Sequence, residues 1–84
     1  MKIYLVEGRT GEYEEYHTWI AAAFKEQSKA QEMARHPDLN VKFEKTMIWF
    51  DSREEIEQKG KLIDPAYNCD YTGSSYHVIE MDLQ

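Results

Sequence analysis

The sequence predicts a single α+β domain: a three-stranded, mainly antiparallel sheet with one principal helix on a face and a variable middle segment. Three observations carry this reading. The turn-like run Asp70-Tyr71-Thr72-Gly73-Ser74 opens into a segment that places His77, Ile79, Met81 and Leu83 on one side and Tyr76, Val78, Glu80 and Asp82 on the other. That is the alternation of a half-buried strand. At the other end of the chain, Ile3-Tyr4-Leu5-Val6 is apolar on both sides, which suits a central strand and makes it the best partner for the last one. Finally, 84 residues leave room for one domain, 1–84, with one modest core.

The elements follow in order. Lys2–Glu7 reads as the first strand, and Gly8-Arg9-Thr10-Gly11 as the turn after it. The Ala21-Ala22-Ala23 run invites a helix over 18–36, but Glu26, Gln27 and Lys29 interrupt its apolar stripe. Two aromatics, an Ile and a Thr favour a strand over Tyr16–Phe24 instead. A helix is expected from Gln27 to His36, with Ala30, Met33 and Ala34 as its stripe. Ser28 and Gln31 have capping-box spacing, the cap itself falling at Ser28 or a residue or two earlier. Arg35 and His36 suit the negative end of the helix dipole, and Pro37 stops the helix.

Residues 38–50 carry two patterns. Leu39, Val41, Phe43, Met47 and Trp49 alternate as in a strand, with Lys45 as the exception, whereas Leu39, Phe43, Met47 and Phe50 fit a helical stripe, and the sequence leaves both open. Ser52 with Glu55 is a second capping-box match, giving a short helix over Glu54–Lys59 ended by Gly60. Lys61–Asn68 is a connector that turns at Asp64-Pro65. The resulting sheet order is second, first, last strand.

Composition narrows the function classes. Sixteen acidic against ten basic residues give a formal charge of −6, which disfavours nucleic acid as a partner. Acidity of this kind ordinarily serves solubility; its sharper reading is a face that imitates nucleic acid in a protein's basic groove. One cysteine, Cys69, allows no intrachain disulfide, so a reducing, cytoplasmic setting is expected. The four-residue apolar run after Met1-Lys2 is too short for a signal peptide, and no run approaches a membrane span, so no membrane is expected.

Catalytic and metal constellations are poor. His17, His36 and His77 fall in different elements with no pair at metal-ligand spacing, and Cys69 has no base and orienter at triad-like positions. Glu14-Glu15 and Glu54-Glu55 diverge as adjacent side chains do, and no phosphate loop is present. The expectation is therefore no enzyme, no cofactor and no metal.

The segments Thr10-Gly11-Glu12-Tyr13, Trp19, Ala22-Ala23-Phe24, Ala30, Asp64-Pro65, Asp70-Tyr71-Thr72-Gly73 and Tyr76-His77-Val78 together resemble a family of small uncharacterised bacteriophage and prophage proteins. Those proteins share a TGEY-type loop after the first strand and a DYTG segment with a tyrosine at the end; the resemblance does not extend over 37–61. It implies a phage-encoded accessory role in the bacterial host cytoplasm and carries over no activity.

If the first and last strands are antiparallel neighbours, the loop after one meets the entrance of the other. Arg9, Thr10, Glu12 and Tyr13 would then face Asp70, Tyr71, Thr72 and Tyr76, with Trp19 nearby, as a candidate ligand- or partner-binding surface. The same residues could instead be ordinary packing, with Arg9 and Asp70 as a salt bridge and Tyr71 and Tyr76 as cross-strand aromatics. Three functions fit, in this order: binding and inhibiting a bacterial host protein, sequestering a nucleotide-like signalling molecule in a tyrosine-rich pocket, and serving as a structural or assembly module with no independent site. The uncovered face of a three-stranded sheet adds the expectation of a homodimer.

Overall fold

A computed structural model describes residues 1–11, 16–42, 50–70 and 72–83, leaving out the side chains of 50–53. The elements are β1 (Lys2–Thr10), β2 (His17–Phe24), α1 (Gln27–Ala34), β3 (Val41–Lys42), α2 (Phe50–Ile63) and β4 (Gly73–Asp82). The class is α+β, as expected, but the sheet among the described residues has four strands rather than three. Their order is β2-β1-β4-β3, with every pairing antiparallel. The added strand is the two-residue β3, where Val41 pairs Ser74 and Lys42 pairs Gly73. Residues 43–49, the rest of the ambiguous stretch, lie outside the described residues.

The two chain ends do form the middle of the sheet. β1 and β4 pair without a break from Lys2↔Asp82 to Thr10↔Ser74. Against β2 the register slips between Val6 and Glu7, because Val6 pairs Ala22 and Glu7 pairs Ile20. Ala21 is the extra residue of a bulge there. Alternation then sorts the faces. Val6, Gly8 and Thr10 are buried with Ser74 and Tyr76 on the face that α1 covers. Leu5, Glu7, His77 and Ile79 are half-buried on the other face, where Ile20 and Met81 are about half exposed (51% and 47%).

Four boundaries move: the end of β1, the end of α1 and both ends of α2. β1 runs on to Thr10, so Gly8 is strand rather than turn. The Trp19 indole covers it, and a Cβ at that position would meet ring carbons at 2.5 Å. The chain turns later, beginning at Gly11 with φ 95°. Helix α1 starts at Gln27 as expected, and its N-cap is Glu26, two residues before Ser28 and within the expected range, although its side chain makes no capping bond. It ends at Ala34, short of His36, because Asn40 Nδ2 donates to the carbonyls of Ala34 (2.6 Å) and His36 (3.0 Å).

Helix α2 is longer than Glu54–Lys59 at both ends. Ser52 lies inside it rather than at its cap, and Gly60 does not stop it. The Tyr67 ring packs where a Gly60 side chain would stand, at 2.5 Å. The turn expected at Asp64-Pro65 follows the helix, closed by the Tyr67 amide donating to the Asp64 carbonyl at 2.9 Å. Val6, Ala30, Leu39, Cys69 and Tyr76 form the centre of the core, with Ile56 and Ile63 of α2 packed against it. Ala30 and Ala34, buried on α1, have no bulk to hold the helix away from the sheet. No helix among the described residues is long and apolar enough to cross a membrane.

Candidate functional site

Antiparallel pairing of β1 with β4 brings the end of one strand to the start of the other. Thr10 stitches them together: its buried hydroxyl donates to the Gly73 carbonyl (2.7 Å) and accepts the Asp70 amide (3.2 Å). Asp70 in turn organises its own loop. Its Oδ1 accepts both the amide (2.8 Å) and the hydroxyl (2.6 Å) of Thr72, and its carbonyl accepts the Gly73 amide (3.1 Å). Gly73 closes the turn at φ 103° with β3 pressed against it.

Burial pushes the Asp70 carboxyl up, but the donors of Thr72, with Thr10 and the Gly73 amide, outweigh it and hold the group below the usual carboxylate range. The sign of its pH effect follows. A group whose folded value is depressed contributes stability that is complete above its unfolded value, about pH 4, and is lost as pH falls through the folded value. Asp70→Asn is therefore expected to flatten the acid limb of the stability curve below about pH 4, read by urea denaturation across that range. An unchanged limb would remove Asp70 from the acid transition.

Beside this stitched corner lies an open cleft of about 270 Å3. Arg9, Tyr16, Lys42, Thr72 and Ser75 supply its side chains, and Gly11, Val41 and Gly73 border it. The Arg9 guanidinium stands 5.6 Å from the centre of the Tyr16 ring. Its carboxylate neighbour is Glu7 at 3.8 Å, not Asp70, and Glu7 also meets His77 Nε2 at 3.0 Å. Lys42 has no carboxylate within salt-bridge distance among the described residues. Two cations, one flat aromatic and several hydroxyls line one concavity. Such a set can hold an anionic group and stack a planar one.

Of the sequence-based candidates, Arg9, Thr10 and Thr72 border the cleft, and Asp70 shapes it through Thr10 and Thr72. Trp19 and Tyr76 belong to the interior. Trp19 Nε1 and the Tyr76 hydroxyl both donate to Asp64 Oδ2 at 2.7 Å, and the Ala66 amide donates to Oδ1 at 3.0 Å. The two rings meet edge to face at 5.8 Å, and Tyr67 lies parallel to Tyr76 at 6.3 Å. Burial, with the Asp64 carboxylate beside it, drives the Tyr76 hydroxyl far above the ordinary phenol range, and burial does the same for Tyr67. Both phenols stay protonated across the physiological range and act as hydrogen-bonding struts. Glu12, Tyr13 and Tyr71 lie outside the described residues.

Comparison with known proteins gives no match, whether to a family model, a curated protein or a solved structure. The geometry of the cleft therefore carries the functional argument. Its residues that sequence reasoning passed over are Tyr16, Lys42 and Ser75. Ser75 and Tyr16 were legible from strand register, since Arg9 pairs Ser75 across β1 and β4 and Thr10 pairs His17 across β1 and β2. Lys42 was not, because it sits in the stretch whose pattern was ambiguous. Among the described residues, no group of three or more His, Cys, Asp or Glu could hold a metal ion.

Proposed function

We propose that this protein is a non-enzymatic binding protein that captures a small nucleotide-like anion in the cleft between β1, β3 and the entrance of β4. The observation that supports it is Arg9 standing over Tyr16 in a concavity that also holds Lys42, which has no carboxylate partner among the described residues. A phosphate would replace water on the two cations, and a base would lie against the tyrosine face. Within the phage setting that the family resemblance implies, capture of a signalling nucleotide withdraws it from the host.

The test is a thermal-shift and calorimetric panel of mono-, di- and cyclic nucleotides. One of them is expected to raise the melting temperature, and Arg9→Ala and Tyr16→Ala each to weaken its binding about tenfold or more, since a charge-assisted bond or a desolvated cation–π contact is worth about 1.5–3 kcal/mol. Their ligand-free melting points should stay at the wild-type value, both side chains being exposed. If both variants keep wild-type affinity, the cleft is not the site.

A second reading, inhibition of a host protein, draws on the face of the sheet opposite α1. Ile20 and Met81 stand about half exposed there on a chain of charge −6. The same face would carry the expected homodimer. Native mass spectrometry of protein purified from bacterial lysate separates these outcomes in one measurement. Co-purified small molecule, a stoichiometric host protein and a second subunit each have their own mass.

A further inference from the structure

The outer edge of β4 is paired only at its start. Ser74 faces Val41 of β3, and the next outward amide, Tyr76, donates to Asn40 Oδ1 at 2.9 Å, a side chain standing in for a strand. Because outward-pointing residues alternate in an antiparallel strand, the next are Val78, Glu80 and Asp82. The other side of β4 is fully taken by β1 as far as Asp82. Among the described residues the outward amides and carbonyls of Val78 and Glu80 have no partner. β3 cannot extend to reach them, since from Lys42 onward its register leads away from Tyr76.

A groove of about 240 Å3 runs alongside this edge, between β4 and α1. Ala34, Tyr76 and Val78 give it an apolar floor, and Gln31 and Arg35 form its helical rim. Arg35 is exposed and has no carboxylate within salt-bridge distance among the described residues.

We propose that this groove takes an extended peptide segment of a partner protein, added as a fifth strand on β4, with a small apolar residue against Ala34 and Val78 and a carboxylate on Arg35. Unpaired strand-edge groups ask for another extended backbone and for nothing else of comparable geometry. The side chain of an added residue on the α1 side of the sheet enters the groove, and the cation on the rim selects its charge. Two of the two-fold registers open to a second β4 are unfavourable, and the one centred on Ile79, which sets Val78 opposite Glu80, is the dimer that the experiment below distinguishes from a foreign segment. A two-fold pairing centred on Glu80 would set two glutamates directly opposite, which is destabilising. One centred on Val78 would need the Tyr76 amide that Asn40 already holds. The chain's net negative charge does not forbid an acidic guest. Beyond about 8–10 Å it is screened at physiological salt, and the nearest exposed acid on β4, Glu80, is paired with Lys2 at 3.2 Å.

The probe is a short synthetic peptide of alternating threonine and valine with one central glutamate, and a control with lysine in its place. Amide NMR should show the glutamate peptide shifting α1 and β4 resonances and slowing hydrogen exchange at Val78 and Glu80, both fast in the free protein. Arg35→Glu should weaken the glutamate peptide about tenfold or more, as expected for loss of a charge-assisted pair and its replacement by repulsion, and leave the lysine peptide no weaker. Glu80→Pro removes one outward amide at an edge position where proline is tolerated, and should lower binding with the β1 pairing intact. The exchange measurement needs no variant and stands if Glu80→Pro misfolds. Protection of Val78 and Glu80 without peptide, absence of binding at millimolar peptide, shifts confined to another surface, or a concentration-dependent dimer that protects these amides would each overturn the proposal.

Discussion

Asp64→Ala is expected to cost about 3–5 kcal/mol of stability. Asp64 is 2% exposed, and its carboxylate accepts three donors: the Trp19 indole, the Tyr76 hydroxyl and the Ala66 amide. Truncation strands all three away from water, and each stranded buried group costs about 1–3 kcal/mol. The bonds also tie β2 and β4 to the segment that follows α2, so their loss loosens the sheet and its cover together. A domain of this size has on the order of 5–10 kcal/mol in total, so the variant would sit near the edge of folding. Asp64→Asn keeps one acceptor oxygen but turns an amide donor toward other donors, and should cost about half as much. Urea denaturation followed by Trp19 and Trp49 fluorescence reads both; a loss below about 1 kcal/mol for the alanine variant would mean that water or rearrangement satisfies the donors.

Gly73→Ala is the second large effect, and it acts on the site as well as the fold. Gly73 has φ 103°, a conformation that L side chains rarely adopt, and an added methyl would overlap the Val41 carbonyl of β3. The obstacle is backbone and cannot swing aside as a flexible side chain could. We expect a loss of about 3 kcal/mol or more, from the backbone penalty and the displaced strand together. Because Val41 and Lys42 border the cleft, displacement of β3 carries Lys42 away from Arg9, and nucleotide binding should fall along with the melting temperature. This separates Gly73→Ala from Arg9→Ala, which is expected to lose binding while keeping its melting point. A Gly73→Ala protein that melts with the wild type would show that β3 does not constrain this turn.

The two effects show how differently the parts of this molecule could be read from its sequence. Asp64-Pro65 was recognisable as a turn, because aspartate before proline favours one through local hydrogen bonding. That the same aspartate anchors Trp19 was not recognisable, since the two are 45 positions apart. Trp19 and Tyr76 accordingly read as candidates for a binding surface, when the fold uses their polar atoms to satisfy a buried carboxylate. The corner joining Thr10, Asp70 and Thr72 was legible, because antiparallel pairing of the chain ends places both loops at one pole without any knowledge of side-chain packing. Lys42 and the groove beside β4 were not, since both depend on where α1 and the turn after it come to rest.

Local signals were enough to establish β2, β4 and the pairing of β1 with β4: alternation for β4, β-favouring side chains for β2 and two apolar faces for β1, none of which needs a distant partner. The start of α1 and its alanine stripe were likewise local. The tertiary structure decided what glycine and asparagine would do. Gly8 continues a strand because an indole fills its missing side chain, Gly60 continues a helix because a tyrosine ring does the same, and Asn40 replaces a strand at the edge of β4. A glycine permits a turn and a close approach equally well, and only the residue that arrives from elsewhere in the chain chooses between them.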